Sequence, residues 1–419
     1  MVTVSAIKAV LPNGMPLVQM HVPGRLTVTL AVVFSAGARH EVANEVGAAH
    51  LLEHWVFKGT ARHPTARELN RAVEYLGTEL EGYSTSRHVE FSTRVRAELA
   101  MPAIGLLADL AGAPLLDDAE LEAEQTIVLQ EIADADEDPG SRADDRLIAA
   151  LFAGHRLAKP ITGEASDVES LTADRLIAFR DRQWSPAAGI GAIVGNLEHV
   201  DQPGVRHALE TIPERPLPPQ PASLPPFAPR SEFEERDGAV VHLRLVYSVP
   251  GIDFCRRRDR AVAEVFSQLI GGPMGSRLFD ELREQRALCY WVDGYSWGID
   301  GAAFLSISCS LRPSSVAQTF EQIGLILSDL RAHGPTDEEA RRFGAYATGA
   351  AAVDFESPGH LADHAIELVL EYDDFDIDPL AHLQGLESVT RADLSELAAN
   401  IAPTPCIGCV GPVTPGDLA

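Results

Sequence analysis

Asp138-Pro-Gly-Ser-Arg-Ala-Asp144 and Ser357-Pro-Gly-His-Leu-Ala-Asp363 share the pattern x-Pro-Gly-x-x-Ala-Asp at an offset of 219. Two further pairs keep nearly that spacing. Val168-Glu-Ser-Leu-Thr172 matches Leu386-Glu-Ser-Val-Thr390 at 218, and Val194-Gly195 matches Val410-Gly411 at 216. Three matches in the same order at a nearly constant offset mark an internal duplication. Between the copies, Pro213 to Pro229 holds eight prolines, a composition that stays extended and semi-rigid. A chain of 419 residues also exceeds one ordinary core. The expected organisation is therefore a domain over 1–212, a linker over 213–230 and a homologous domain over 231–419.

Within a half, the order is strands, helices, strands and a long helical run. Residues 26–34 alternate as a strand does, 45–57 and 65–76 suit helices, and 78–85 with 89–95 suit paired strands. Residues 117–135 read as a helix with Asp117, Asp118 and Glu120 in its first turn, where the helix dipole favours acids. Asn13-Gly14 predicts a hairpin between Ile7–Leu11 and Leu17–Met20. Segregated strand and helix blocks predict the α+β class: two homologous domains, each a mostly antiparallel sheet with helices packed on one face.

Bulk composition excludes several functions. The formal charge is −27, from 34 basic and 61 acidic residues, which disfavours nucleic acid and anionic membranes as partners. No apolar run approaches the roughly 18–20 residues that span a bilayer, and the first twenty residues do not read as a signal peptide. Five scattered cysteines predict reduced thiols and a cytoplasmic location. Cys406-Ile-Gly-Cys409 is formally a CxxC, but its apolar setting predicts a core strand.

The chemistry concentrates in His50-Leu-Leu-Glu53-His54. On a helix, positions i and i+4 share a face, so His50 and His54 can hold one metal ion and Glu53 can act as general base on a water beside it. This is the inverted zinc-protease pattern H-x-x-E-H. The motif is not duplicated: the same offset leads to Leu269–Pro273, which holds no histidine or glutamate. A catalytic zinc site expects a third protein ligand. Glu120, Glu122, Glu124, Glu131 and Asp134 are candidates, and Glu124 and Glu131, seven apart, share a helix face. The residues alone leave that pair open.

Gly47-Ala-Ala-His-Leu-Leu-Glu-His-Trp-Val-Phe-Lys-Gly-Thr60 resembles the signature of the pitrilysin and mitochondrial-processing-peptidase family of zinc metallopeptidases, in its short bacterial form, and Leu11-Pro-Asn-Gly14 resembles that family's first hairpin. The resemblance implies one zinc ion per chain, with His50, His54 and Glu131 as ligands, Glu53 as catalytic base and Glu124 orienting a ligand from outside. It also implies a zinc endopeptidase acting on short or extended peptides, with precursor or leader-peptide processing as one such use, inside a two-lobed chamber completed by a dimer. Both a homodimer and a heterodimer with a related chain fit. The alternative is a non-catalytic or partner-dependent subunit that binds peptide without cutting it alone.

In the second half, Gly271 to Tyr290 resembles the family segment whose arginine and tyrosine lie seven apart, here Arg283 and Tyr290. The implied role is catalytic, donating to the oxyanion. Gly271, Gly272 and Gly275 have the wrong spacing for a phosphate loop. The resemblance places the substrate along the edge Leu80-Glu81-Gly82-Tyr83-Ser84, by addition of a strand. There the family usually shows Leu-Asn-Ala-x-Thr. Glu81 replaces an asparagine that contacts substrate backbone, and an ionised carboxylate cannot donate a hydrogen bond. The expectation is a peptide with a basic residue or free amine near the cleaved bond.

Overall fold

A computed structural model of the chain describes residues 5–418. The first half builds β1 (Ser5–Val10), β2 (Pro16–His21), β3 (Thr27–Phe34), β4 (Glu81–Ser84), β5 (Val89–Arg96) and β6 (Gly189–Gly195), in the spatial order β1-β2-β6-β3-β5-β4. The second half builds β7 (Ser231–Glu235), β8 (Val241–Ser248), β9 (Cys289–Ile299), β10 (Ala302–Leu311) and β11 (Cys406–Gly411), in the order β7-β11-β8-β10-β9. Without β1, the two orders are the same permutation. Each has its parallel pair at the same place, β2 with β6 and β7 with β11, in an otherwise antiparallel sheet.

The helices of the first half are α1 (Ala48–Val56), α2 (Ala66–Glu74), α3 (Ala100–Gly112), α4 (Asp118–Glu137), α5 (Pro139–Leu151), α6 (Ala165–Ser170), α7 (Ala173–Gln183) and α8 (Gln202–Glu210). Those of the second half are α9 (Arg257–Ile270), α10 (Val316–His333), α11 (Asp337–Asp354), α12 (Pro358–Tyr372), α13 (Pro379–Glu387) and α14 (Arg391–Asn400), with a π-helical turn at Phe279–Gln285.

The repeated phrases are boundary signals. Asp138 caps α5 through Gly140 N and Ser141 N, with Pro139 in the first turn; Ser357 and Pro358 hold the matching positions of α12, though the Ser357 side chain makes no capping bond. Thr172 caps α7 and Thr390 caps α14. Gly195 and Gly411 end matching strands at φ 139° and 147°; a Cβ on Gly195 would meet Thr27 O at 2.3 Å.

The compact units do not follow the linker. One comprises residues 1–133, 159–223 and 354–379; the other comprises 134–158, 224–353 and 380–419. Each thus takes one helical segment from the other half of the chain. In the first unit, Leu30, Val32 and Phe34 of β3 pack with Leu52 and Val56 of α1, Ile104 and Leu107 of α3, and Phe179 of α7. On the opposite face, Ala31 and Val33 of β3 with Ile190, Ala192 and Val194 of β6 pack against Leu361, Ala365, Ile366 and Val369 of α12. The α+β class is as expected, and α12 adds helical cover to the sheet's second face. Its apolar residues recur at helical spacing and need such a surface. This also explains why β3 is buried on both sides although residues 26–34 read as alternating.

In the second unit, α5 makes the equivalent packing: Leu147, Ala150 and Leu151 join Val246, Phe304 and Cys406 in one cluster. Cys406-Ile-Gly-Cys409 forms β11, a buried core strand, and all five thiols are free. The proline-rich segment forms no helix or strand and is pinned near both ends. Arg215 Nη1 donates to Trp184 O at 3.1 Å, while Leu224 and Phe227 pack on the α5 cluster.

Two predictions arise from this packing. A Cβ on Gly408 of β11 would lie 2.4 Å from Leu147 N and 2.5 Å from Ala143 O, backbone atoms of α5 that cannot swing aside. Gly408→Ala should lower stability by about 1–3 kcal/mol, read as an earlier midpoint in urea denaturation. The hairpin between β4 and β5 is held by Thr85 Oγ1, which accepts from Arg87 N and His88 N. Beside it the half-buried His88 has its Nδ1 buried and unpartnered, and burial, reinforced by the charge of Arg87, pushes its pKa down to about 4. The unfolded chain therefore binds the extra proton between about pH 6.5 and 4. The stabilisation is full above that window and falls as the pH drops through it, by at most about 3 kcal/mol. His88→Gln should flatten this part of a melting-temperature profile against pH.

Candidate active site

The site is built on α1, whose Ala48, Ala49, Leu51, Leu52, Trp55 and Val56 are fully buried. Gly47 starts the helix at φ 86°, and a Cβ there would strike Thr162 O at 2.5 Å. The buried Glu41 carboxylate accepts from Gly47 N at 3.0 Å and Ala49 N at 2.8 Å, so it satisfies first-turn donors and sits where the helix dipole favours an anion. Trp55 Nε1 donates to Asp117 O at 2.9 Å, tying α1 to the start of α4. Leu121, Val128 and Ile132 anchor the apolar face of α4 in the same core.

These anchors bring the sequence candidates together. The rings of His50 and His54 lie 4.7 Å apart between centroids. His50 Nε2 is 3.1 Å from Glu131 Oε2 and His54 Nε2 is 3.7 Å from Glu131 Oε1. Ligand atoms about 2.1 Å from one tetrahedral ion stand roughly 3.4 Å apart, and the two distances bracket that value. The other ring nitrogens are held from behind: His50 Nδ1 lies 3.0 Å from Ser84 Oγ and His54 Nδ1 lies 3.3 Å from Glu124 Oε2. Glu124, 3% exposed, is ion-paired to Lys58. This donor set suits zinc: two nitrogens and a carboxylate converge, with each imidazole oriented by an outer partner. Glu120 and Glu122 make no such approach among the described contacts.

Glu53 is 8% exposed and reaches to within 3.9 Å of His50 Nδ1. His50, Glu53 and His54 offer metal-binding atoms within 4.8 Å of one another. Glu131, rather than Glu53, faces both Nε2 atoms, so the converging third group is Glu131. Burial pushes the Glu53 carboxyl up to about 7, against the pull of His54, while burial holds the His50 imidazole below its ordinary value.

The expected substrate edge divides by parity. On β4, Gly82 and Ser84 face α1: a Cβ on Gly82 would meet Glu53 Oε1 at 2.1 Å, and Ser84 Oγ is the partner of His50. Glu81 and Tyr83 are exposed on the opposite face. Leu80 is half-buried and packs against the core. The role of Ser84 beside the imidazole was legible in the two-residue period of a strand, given that Gly82 approaches Glu53. Lys58 and Glu41 were not singled out from sequence. The position of Lys58, four residues after His54, was the available signal for it; Glu41 offered none, because its partners are backbone donors.

Arg283 and Tyr290 belong to the second unit. The Arg283 guanidinium lies 4.6 Å from the Phe279 ring and 5.4 Å from the Tyr290 ring, and Tyr290 is 83% exposed on edge strand β9.

Residues 18–165 match the family model described as insulinase (peptidase family M16), and residues 170–342 match the peptidase M16 inactive domain. An uncharacterized zinc protease of Mycobacterium leprae is 30% identical over 344 residues, covering 80% of this chain and 75% of that one. An uncharacterized zinc protease of Streptomyces coelicolor is 27% identical over 419 residues, covering 97% and 89%. The crystal structure of a peptidase M16 inactive domain from Pseudomonas fluorescens superposes with a TM-score of 0.88 at 19% identity, covering 98% of this chain and 99% of that one, a likeness of fold. With its H-x-x-E-H helix in the first matched region and no such motif in the second, the chain belongs to the pitrilysin-like M16 peptidase family.

Proposed function

We propose that the protein is a zinc endopeptidase that cuts extended peptides, with the zinc held by His50, His54 and Glu131. The observation that carries this reading is the convergence of both Nε2 atoms on Glu131 while Ser84 and Glu124 hold both Nδ1 atoms. When bound, zinc would lower the pKa of a water to about 7 and polarise the scissile carbonyl. Glu53 takes the proton of the attacking water and returns it to the leaving amine, a cycle that suits a carboxyl pushed up to about 7. Glu124, fixed by Lys58, keeps His54 oriented. The peptide backbone pairs with the free edge of β4, which has β5 on its other side. On the family resemblance, Arg283 and Tyr290 are the proposed donors to the oxyanion.

The working form is proposed to be a dimer, of two copies or with a related chain, that encloses short or precursor peptides. The family resemblance supports this, since one chain supplies about half of the chamber that larger relatives enclose. No described helix is long and apolar enough to cross a membrane, and five free thiols favour a reducing cytoplasm. The acidic chain and the exposed Glu81 favour peptides with a basic residue near the cleaved bond.

The test is hydrolysis of a quenched-fluorescence peptide library alongside metal analysis. The purified chain should carry one zinc and lose activity to a chelator, regaining it on zinc addition. Glu53→Gln should keep the zinc and lose about 100- to 10,000-fold in kcat. Glu131→Gln should lose the zinc itself. A zinc-free protein that binds peptide without cutting it would decide for the non-catalytic subunit.

A further inference from the structure

Beyond the metal, the first unit has a polar hollow that the mechanism does not use. Strand period sets its walls. On β5, Val89, Phe91, Thr93 and Val95 turn toward the core beneath α1 and α3, and Glu90, Ser92 and Arg94 turn to the other face. The β4 pairing places Glu81 opposite Ser92 and Tyr83 opposite Glu90 on that same face. There α12 lies across the sheet and presents Asp363. The result is a cavity of about 770 Å³ adjoining one of about 620 Å³, both lined by Glu81, Glu90, Ser92 and Asp363.

Two observations set this apart from a solvated acidic patch. Thr29 also lines the larger cavity; it is 8% exposed, and its hydroxyl is buried without a hydrogen-bond partner. An unpaired buried hydroxyl costs stability unless a guest completes it. The acids also outnumber the cations: Glu81, Glu90 and Asp363 line the larger cavity together with Arg94 and His360. Arg87 is paired with Glu371, and the Arg94 guanidinium donates to the neutral Ser357 Oγ without closing on an acid. Among the described residues, Glu81, Glu90 and Asp363 have no ion pair within 4.0 Å. Burial, with the neighbouring carboxylates adding to it, pushes the Glu90 and Asp363 carboxyls up, and at Asp363 this outweighs the opposing pull of His360 and Arg94.

We propose that this cavity is a specificity subsite that takes the lysine or arginine side chain of a peptide paired to β4, with Glu81, Glu90 and Asp363 as its acidic wall and the Thr29 hydroxyl at its floor. The proposal rests on the edge-pairing part of the peptidase reading. Side chains of an added strand alternate between faces. At one parity they turn toward Gly82, Ser84 and the metal helix; at the other they turn toward Glu81 and α12. Selection for a basic residue therefore falls on alternate peptide positions.

The experiment uses the full chain carrying Glu53→Gln, so that peptides are bound and not consumed. Labelled decapeptides differing only by lysine or norleucine at each position in turn are titrated by fluorescence anisotropy. Lysine should bind at least about 10-fold tighter at positions two apart and equally at those between, the preference shrinking as salt rises. Glu81→Gln combined with Asp363→Asn should cut that preference below about 2-fold, as should each single change in part if the pair fails to fold. Equal affinity at every position, no measurable binding of the lysine peptides, or a preference untouched by these variants would overturn the proposal. Hydrolysis of the norleucine peptides by the unsubstituted chain reports on the peptidase reading separately. A chain that prefers lysine but cuts nothing sinks that reading and leaves the subsite standing.

Discussion

Almost every side of α1 is committed to the core. Its apolar residues are wedged between β3, α3 and α7, its first-turn donors are taken by Glu41, and its tryptophan is tied to Asp117. His50 and His54 are left on the one half-exposed stripe. Their direction is thus dictated by the packing of a helix that has nowhere else to turn, and the rest of the candidate site is arranged around that stripe. A close-packed core of this kind transmits little slack, so the imidazoles are oriented before any ligand arrives.

The site concentrates carboxylates in a buried region, which is costly unless each is compensated. Glu41 has two backbone donors, Glu45 has Arg182, and Glu124 has Lys58 and His54. Glu53 has only the imidazoles near it, His50 Nδ1 at 3.9 Å, and burial raises its proton affinity against the pull of His54. The contrast assigns roles by environment: compensated carboxylates hold the frame, and the uncompensated one is suited to move protons.

Duplication is visible at two levels. The sheets share strand order and the position of their parallel pair, and the helices opened by the two x-Pro-Gly phrases make equivalent packings. Those helices are exchanged between the units, so each sheet gains its second apolar layer from the other half of the chain. In the first unit that layer is α12, which also supplies Asp363 to the hollow beside β4. A helix whose first task is to bury apolar sheet surface thereby brings a charge beside the β4 edge.

Local pattern carried the fold class, the duplicated architecture and the H-x-x-E-H helix, because helix periodicity, caps and strand-breaking turns are properties of short segments. Helical spacing alone could narrow the third carboxylate to Glu124 or Glu131, both of which do face the histidines. Tertiary packing separated them: Glu131 reaches both Nε2 atoms, while the buried Glu124 sits behind His54 with Lys58. The same holds for β4, where pairing with β5 turned Ser84 toward His50 and Glu81 toward α12. The exchange of α5 and α12 was beyond local reading as well. An amphipathic stripe states that a helix must be buried, but the surface that buries it is chosen by the three-dimensional competition among all the apolar faces of the chain.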